Sequence, residues 1–149
     1  MRAAILGLAV GLSVLAAAAP ACAADESAIE QPAAEEVAAF IDVAGAPGDG
    51  EQALELALSN RLLNEGFAVT GTPQVNAYEI QGTVRMLPAK RGKENIRIDW
   101  TIFGPEGTRI GNVTQIKEIR KGSLDRHWGA AADAAADAAA RDILKLLPQ

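Results

Sequence analysis

Two stretches in the middle of the chain alternate apolar and polar residues one for one. Tyr78, Ile80, Gly82, Val84 and Met86 alternate with Glu79, Gln81, Thr83 and Arg85. Ile96, Ile98, Trp100 and Ile102 alternate with Arg97, Asp99 and Thr101. Successive side chains of a strand point to opposite faces, so a period of two describes a sheet with one dry face and one wet face. A sheet of that kind must be covered on its dry side, and the flanking sequence supplies the cover.

Two helices are predicted. In the first, Leu54, Ala57, Leu58 and Leu62 recur at helical spacing. Asp49 is its candidate N-cap, Gln52 the capping-box partner, and Gly66 the left-handed stop. The second is alanine-rich. Trp128, Ala132, Ala135, Ala139, Ile143 and Leu146 form its apolar stripe, with Asp133, Asp137 and Arg141 opposite and Asp137–Arg141 a favourable pair. Ser123 or Asp125 is expected to cap it.

Shorter strands are expected at 37–44 and 67–70, with a turn cluster, Gly45-Ala46-Pro47-Gly48-Asp49-Gly50, after the first. A last strand at 109–119 mixes its parities. Val113 and Ile119 fall on one side, Ile110 and Ile116 on the other, which predicts a bulge or an edge position. The expected fold class is α+β, in the order β-α-β-β-β-β-α, an antiparallel sheet with both helices packed on one face.

The first 23 residues constrain address rather than fold. Arg2 precedes an uncharged, mostly apolar run over 3–19, followed by Pro20-Ala21-Cys22-Ala23. The pattern is that of a signal peptide, and the run falls short of the ~20 residues of a comfortable span. The mature protein is therefore expected in the periplasm with no transmembrane span. Ala21-Cys22-Ala23 offers release before Ala24. Cys22 also offers lipidation and a lipid anchor to the envelope, although Ala19 is not the large aliphatic residue expected three positions before it. Cys22 is the only cysteine, so no internal disulfide can form. Residues 24–36 read as a flexible acidic leader, and 37–149 as a single domain.

No constellation of catalytic residues stands out. The single histidine, His127, has no second histidine with which to share a metal and reads as a surface or cap-packing residue. Gly45, Gly48 and Gly50 precede a helix but lack the spacing of a phosphate loop, and Asp49 would repel an anion. No catalytic, cofactor-binding or metal-ligating residues are expected.

Charge is unevenly distributed. Residues 24–80 hold eleven acids and one base, Arg61, whereas 85–126 hold ten bases and five acids. Lys90, Arg91 and Lys93 at a hairpin tip, with Arg120, Lys121 and Arg126 before the last helix, form a candidate surface for an anionic envelope partner. Nucleic acid is not expected for an exported, acidic chain with few aromatics. The stretch 122–129 reads as a structural corner, with Ser123 or Asp125 capping the helix and Trp128 pinning it to the sheet.

The string Ile98-Asp99-Trp100, then Gly111-Asn112-Val113-Thr114-Gln115, then Gly122-Ser123-Leu124-Asp125 with Trp128-Gly129 and the alanine-rich helix, resembles a family of uncharacterised exported lipoprotein-like proteins of Gram-negative bacteria. The resemblance covers 37–148 and implies a fold and an address. The element order is also similar to the amino-terminal domain of the Tol–Pal propeller protein. It is similar too to small envelope lipoproteins that activate peptidoglycan synthases or assist lipopolysaccharide assembly, which are binding modules rather than enzymes. The resulting expectation is a non-enzymatic periplasmic accessory module of unknown partner. The alternatives are a small hydrolase with paired carboxylates and a structural outer-membrane lipoprotein.

Overall fold

The structure, a computed structural model, describes residues 36–147. Its elements are β1 (Ala38–Ala44), α1 (Gly50–Asn64), β2 (Ala68–Thr70), β3 (Tyr78–Pro88), β4 (Lys93–Phe103), β5 (Arg109–Arg120) and α2 (Gly129–Ile143). The fold is α+β, with the element order expected. The signal peptide, Cys22 and nearly all of the leader lie outside the described residues.

The sheet is mixed, and this corrects the expectation of an antiparallel one. The strand order is β2-β1-β3-β4-β5. β1 runs parallel to both β2 and β3, while β3–β4 and β4–β5 are antiparallel hairpins. The reason lies in the connections. A helix joins β1 to β2, and neighbouring strands joined by a crossover helix run parallel, whereas short turns join antiparallel ones.

The alternation fixes the dry face. Gly82 pairs with Trp100, Ile80 with Ile102 and Val84 with Ile98. Ile80, Val84, Ile98, Trp100 and Ile102 are buried together with Leu54, Leu58, Ala139 and Ile143 in one core. A Cβ on Gly82 would stand 2.7 Å from the Trp100 ring, so the glycine makes room for the largest side chain of the core.

β5 has both features its mixed parity suggested. It is an edge strand, and its register with β4 shifts between Ile102 and Phe103. Gly111 pairs with Ile102 and Arg109 with Phe103, which leaves Ile110 as the extra residue. Ile116, which pairs with Arg97, lies on the open face and is 62% exposed.

The helices depart from expectation at their starts. α2 begins at Gly129, after a run of turns, and neither Ser123 nor Asp125 caps it. Asp49 occupies the N-cap position of α1, but its side chain makes no cap hydrogen bond there. Asp137 turns toward α1 and pairs with Arg61, while Arg141 donates to the Asp137 backbone carbonyl at 3.1 Å instead of to its carboxylate. The buried stripe of α2 is Ala132, Ala136, Ala139, Ala140 and Ile143, a slight rotation from the one read in the sequence. Ala135 is consequently only partly buried.

Candidate functional site

The Gly45–Gly50 cluster has a different use from a plain turn. It receives the segment before α2. Asp49 N–H donates to the Arg126 carbonyl at 3.1 Å, and the Trp128 indole N–H donates to the Pro47 carbonyl at 2.9 Å. The Trp128 amide donates to one Asp49 carboxylate oxygen at 2.9 Å, and His127 Nδ1 lies 3.0 Å from the other. A Cβ on Gly48 would come within 2.6 Å of the Arg126 carbonyl, and one on Gly50 within 2.4 Å of the Trp128 ring. Close approach of the Arg126 backbone at Gly48 and of the Trp128 ring at Gly50 explains these glycines. The sequence signal was present: Asp49 reads as a capping aspartate, but it binds the start of the other helix.

Asp49 is ionised here. The hydrogen bond from His127, then that from the Trp128 amide, holds its carboxyl below the usual carboxylate range. An ionised carboxylate only accepts, so the facing imidazole nitrogen carries the proton. His127 is otherwise open to solvent, its side chain 88% exposed. Ser123 and Asp125 are exposed, and Leu124 and Trp128 are the buried residues of this corner.

On the open face of the sheet, Asp99 accepts from Arg97 Nε at 2.9 Å and from the Thr114 hydroxyl at 2.7 Å. These two bonds, Arg97's the stronger influence, push the Asp99 carboxyl down, and Asp99 in turn pushes the Arg97 guanidinium up. A general acid needs a raised pKa. Asp49 and Asp99 are both shifted the other way, and they sit on different elements.

The structure gathers most of the candidate basic surface. Lys90 and Arg91 sit in the β3–β4 turn, Lys93 pairs in register with Arg120, and Lys121 N–H donates to the Gly92 carbonyl at 3.0 Å. Lys93 is engaged by Glu118. Lys90, Arg91, Arg120 and Lys121 are exposed, and none of them forms an ion pair among the described residues. Arg126 stands apart from this tip, its backbone docked on the β1–α1 loop.

A feature the sequence did not disclose lies beside β5. A groove of about 350 Å³ runs between β5 and α2, lined by Ile96, Ile98, Ile119, Trp128, Ala135 and Ala138, with Gln115 and Lys117 as its polar members. Gln115 Nε2 donates to the Ala135 carbonyl at 3.2 Å and so spans from strand to helix. The groove exists because alanines on the β5 side of α2 are too short to fill it. No group of three or more His, Cys, Asp or Glu residues placed to hold a metal occurs among the described residues. No described helix is long and apolar enough to cross a membrane.

No protein-family model matches the chain, and no curated protein matches it. Solved structures do match its fold. An uncharacterised protein known from its crystal structure matches with a TM-score of 0.53 and 14% identity, over 72% of this chain and 92% of its own. PelC of Paraburkholderia phytofirmans, seen as a dodecamer, matches with a TM-score of 0.52 and 15% identity, over 76% of this chain and 89% of its own. Rare lipoprotein B of Shewanella oneidensis matches with a TM-score of 0.44 and 8% identity, over 72% of this chain and 94% of its own. The structural neighbours thus include uncharacterised proteins and lipoproteins of Gram-negative bacteria. At these identities the likeness concerns the fold alone.

Proposed function

We propose that this chain is a non-enzymatic accessory protein of the cell envelope. In this reading it is exported to the periplasm, free or tethered through Cys22, and binds an anionic envelope component with its basic tip. The observation that carries the reading is the tip itself. Lys90, Arg91, Arg120 and Lys121 converge from two turns at one end of the sheet, exposed and without carboxylate partners among the described residues. Uncompensated like charge costs stability through self-repulsion, and it attracts a partner of opposite sign.

Two further observations support binding over catalysis. The carboxylates with shifted pKa, Asp49 and Asp99, are each held ionised and act as acceptors. A small hydrolase with paired carboxylates needs one acid whose proton is retained. The groove beside α2 is lined almost entirely by Ile, Ala and Trp side chains, which suits contact rather than chemistry.

The test is site-specific crosslinking in living cells. A photo-reactive residue at Arg91 is expected to trap an envelope component. The same residue at Asn76, exposed in the turn before β3, is expected to trap nothing. Equal yields at both positions, or none at Arg91, would overturn the assignment of the tip.

A further inference from the structure

The edge of β5 and the groove beside it form one continuous surface. β5 spans Arg109–Arg120, and β4 is its only strand partner among the described residues. Among the described residues no strand pairs with its outer backbone amides and carbonyls, which can receive an incoming strand. Proteins usually shorten or cover such an edge, because a long uncovered one is a template for strand addition. Here the edge is long, and an apolar groove lies directly against it.

A strand added to β5 would point alternate side chains to opposite faces, about 7 Å apart along each face. One set would enter the groove, over Ile98, Ile119, Ala135 and Ala138. The other set would lie on the open face beside Ile116, which is 62% exposed. The two sides of the edge thus accept an alternating segment.

Charge selects the kind of segment. Arg109, Lys117 and Arg120 are exposed along β5, and the strand's one acid, Glu118, is engaged by Lys93. A second copy of β5 carries the same excess of three bases over one acid, so self-pairing brings two positively charged strands together. An acyl chain could fill the groove, but it would leave the backbone of the edge unpaired.

We infer that β5 accepts an extended acidic segment of a partner protein as a sixth strand. Alternate apolar side chains of that segment seat in the groove against α2, and acidic ones face Arg109 and Arg120 on the open face. Main-chain hydrogen bonds supply affinity in such additions, and side-chain pockets supply specificity. This surface shares Arg120 with the tip but not Lys90, Arg91 or Lys121, so a variant at Lys90 and Arg91 lets either assignment fail with the other intact.

The probe is a synthetic peptide of alternating Glu and Val, offered to the full mature chain at low salt. Binding is read by fluorescence anisotropy of the peptide and by amide hydrogen exchange of the protein. The expected result is binding that protects alternate amides of β5 and weakens by about tenfold with Arg109→Glu. A peptide of alternating Lys and Val is expected not to bind. Two N-methylated versions, one for each parity, separate backbone pairing from groove filling, and one of them is expected to lose binding. Lys90→Glu with Arg91→Glu is expected to leave β5 protection in place. The inference is overturned if the Glu-Val peptide fails to bind at millimolar concentration, or if both N-methylated versions bind as well as the parent. It is overturned equally if β5 amides are protected without peptide because the chain dimerises through this edge.

Discussion

Asp49 shows how one side chain can serve an element distant in sequence. Its carboxylate is placed by α1 but binds the amide of Trp128 and the ring of His127. Its pKa is lowered in the folded state, so folding favours the ionised form. That contribution is complete above the unfolded pKa, about 3.9, and is lost as pH falls through the depressed folded value. Asp49→Asn is therefore expected to lower the melting temperature at neutral pH, with the difference from wild type shrinking as pH falls below the carboxylate range. Thermal melts from pH 7 to pH 2 measure it. A difference that grows on acidification would contradict the assignment.

Gly82 is a second residue whose role follows from a neighbour. A methyl at 2.7 Å from the Trp100 ring and 3.1 Å from Val43 has nowhere to go. Gly82→Ala is expected to cost about 1–3 kcal/mol by overpacking. Gly71→Ala, which meets nothing within 4 Å, is expected to stay within about 0.5 kcal/mol of wild type. Urea denaturation of the pair decides. Ile98→Ala, at 3% exposure, is expected to cost about 2–5 kcal/mol as a buried large-to-small change.

At the scale of elements, legibility followed periodicity. β3 and β4 were readable because the alternation of Ile80, Val84, Ile98 and Trp100 is dictated by one dry face. β5 was readable as an irregular edge because Ile110 breaks its parity. The direction of β1 was missed for a physical reason: its pairing is set by the crossover through α1, and side-chain alternation does not report direction. The start of α2 was misplaced because Ser123 and Asp125 have capping chemistry, whereas the acceptor for the Trp128 amide lies on a distant loop. The groove was not legible at all, since it is a consequence of what alanine fails to fill. On α2, Ala136 and Ala134 test that account. Ala136 is fully buried and Ala134 is an exposed groove residue. Ala136→Leu is expected to cost about 1–3 kcal/mol, and Ala134→Leu to remain within about 0.5 kcal/mol. Equal losses would mean that the helix packs more evenly than described.

At the scale of the whole molecule, part of the basic stretch seen in the sequence is gathered at one end of the sheet. Lys90, Arg91, Lys93, Arg120 and Lys121 are drawn into a tip by the Lys93–Arg120 register and by the Lys121–Gly92 hydrogen bond. The sequence displays the bases, but only the antiparallel pairing of β4 with β5 explains why residues so far apart in sequence share one end. The address remains a proposal from residues 1–23. Mass spectrometry of the mature protein is expected to find its start at Ala24, and a triacylated Cys22 would replace free release with an anchor.

Sedimentation with envelope vesicles tests binding through the tip. The chain should carry Cys22→Ser, so that no lipid anchor contributes. It is expected to sediment with native envelope vesicles at low salt and to be released as ionic strength rises, because exposed charges are screened within about 10 Å at 0.1 M. A variant with Lys90→Glu, Arg91→Glu, Arg120→Glu and Lys121→Glu is expected to keep its melting temperature and to stay in solution. If that folded variant sediments as well as the parent, the tip is not the binding surface and the account fails.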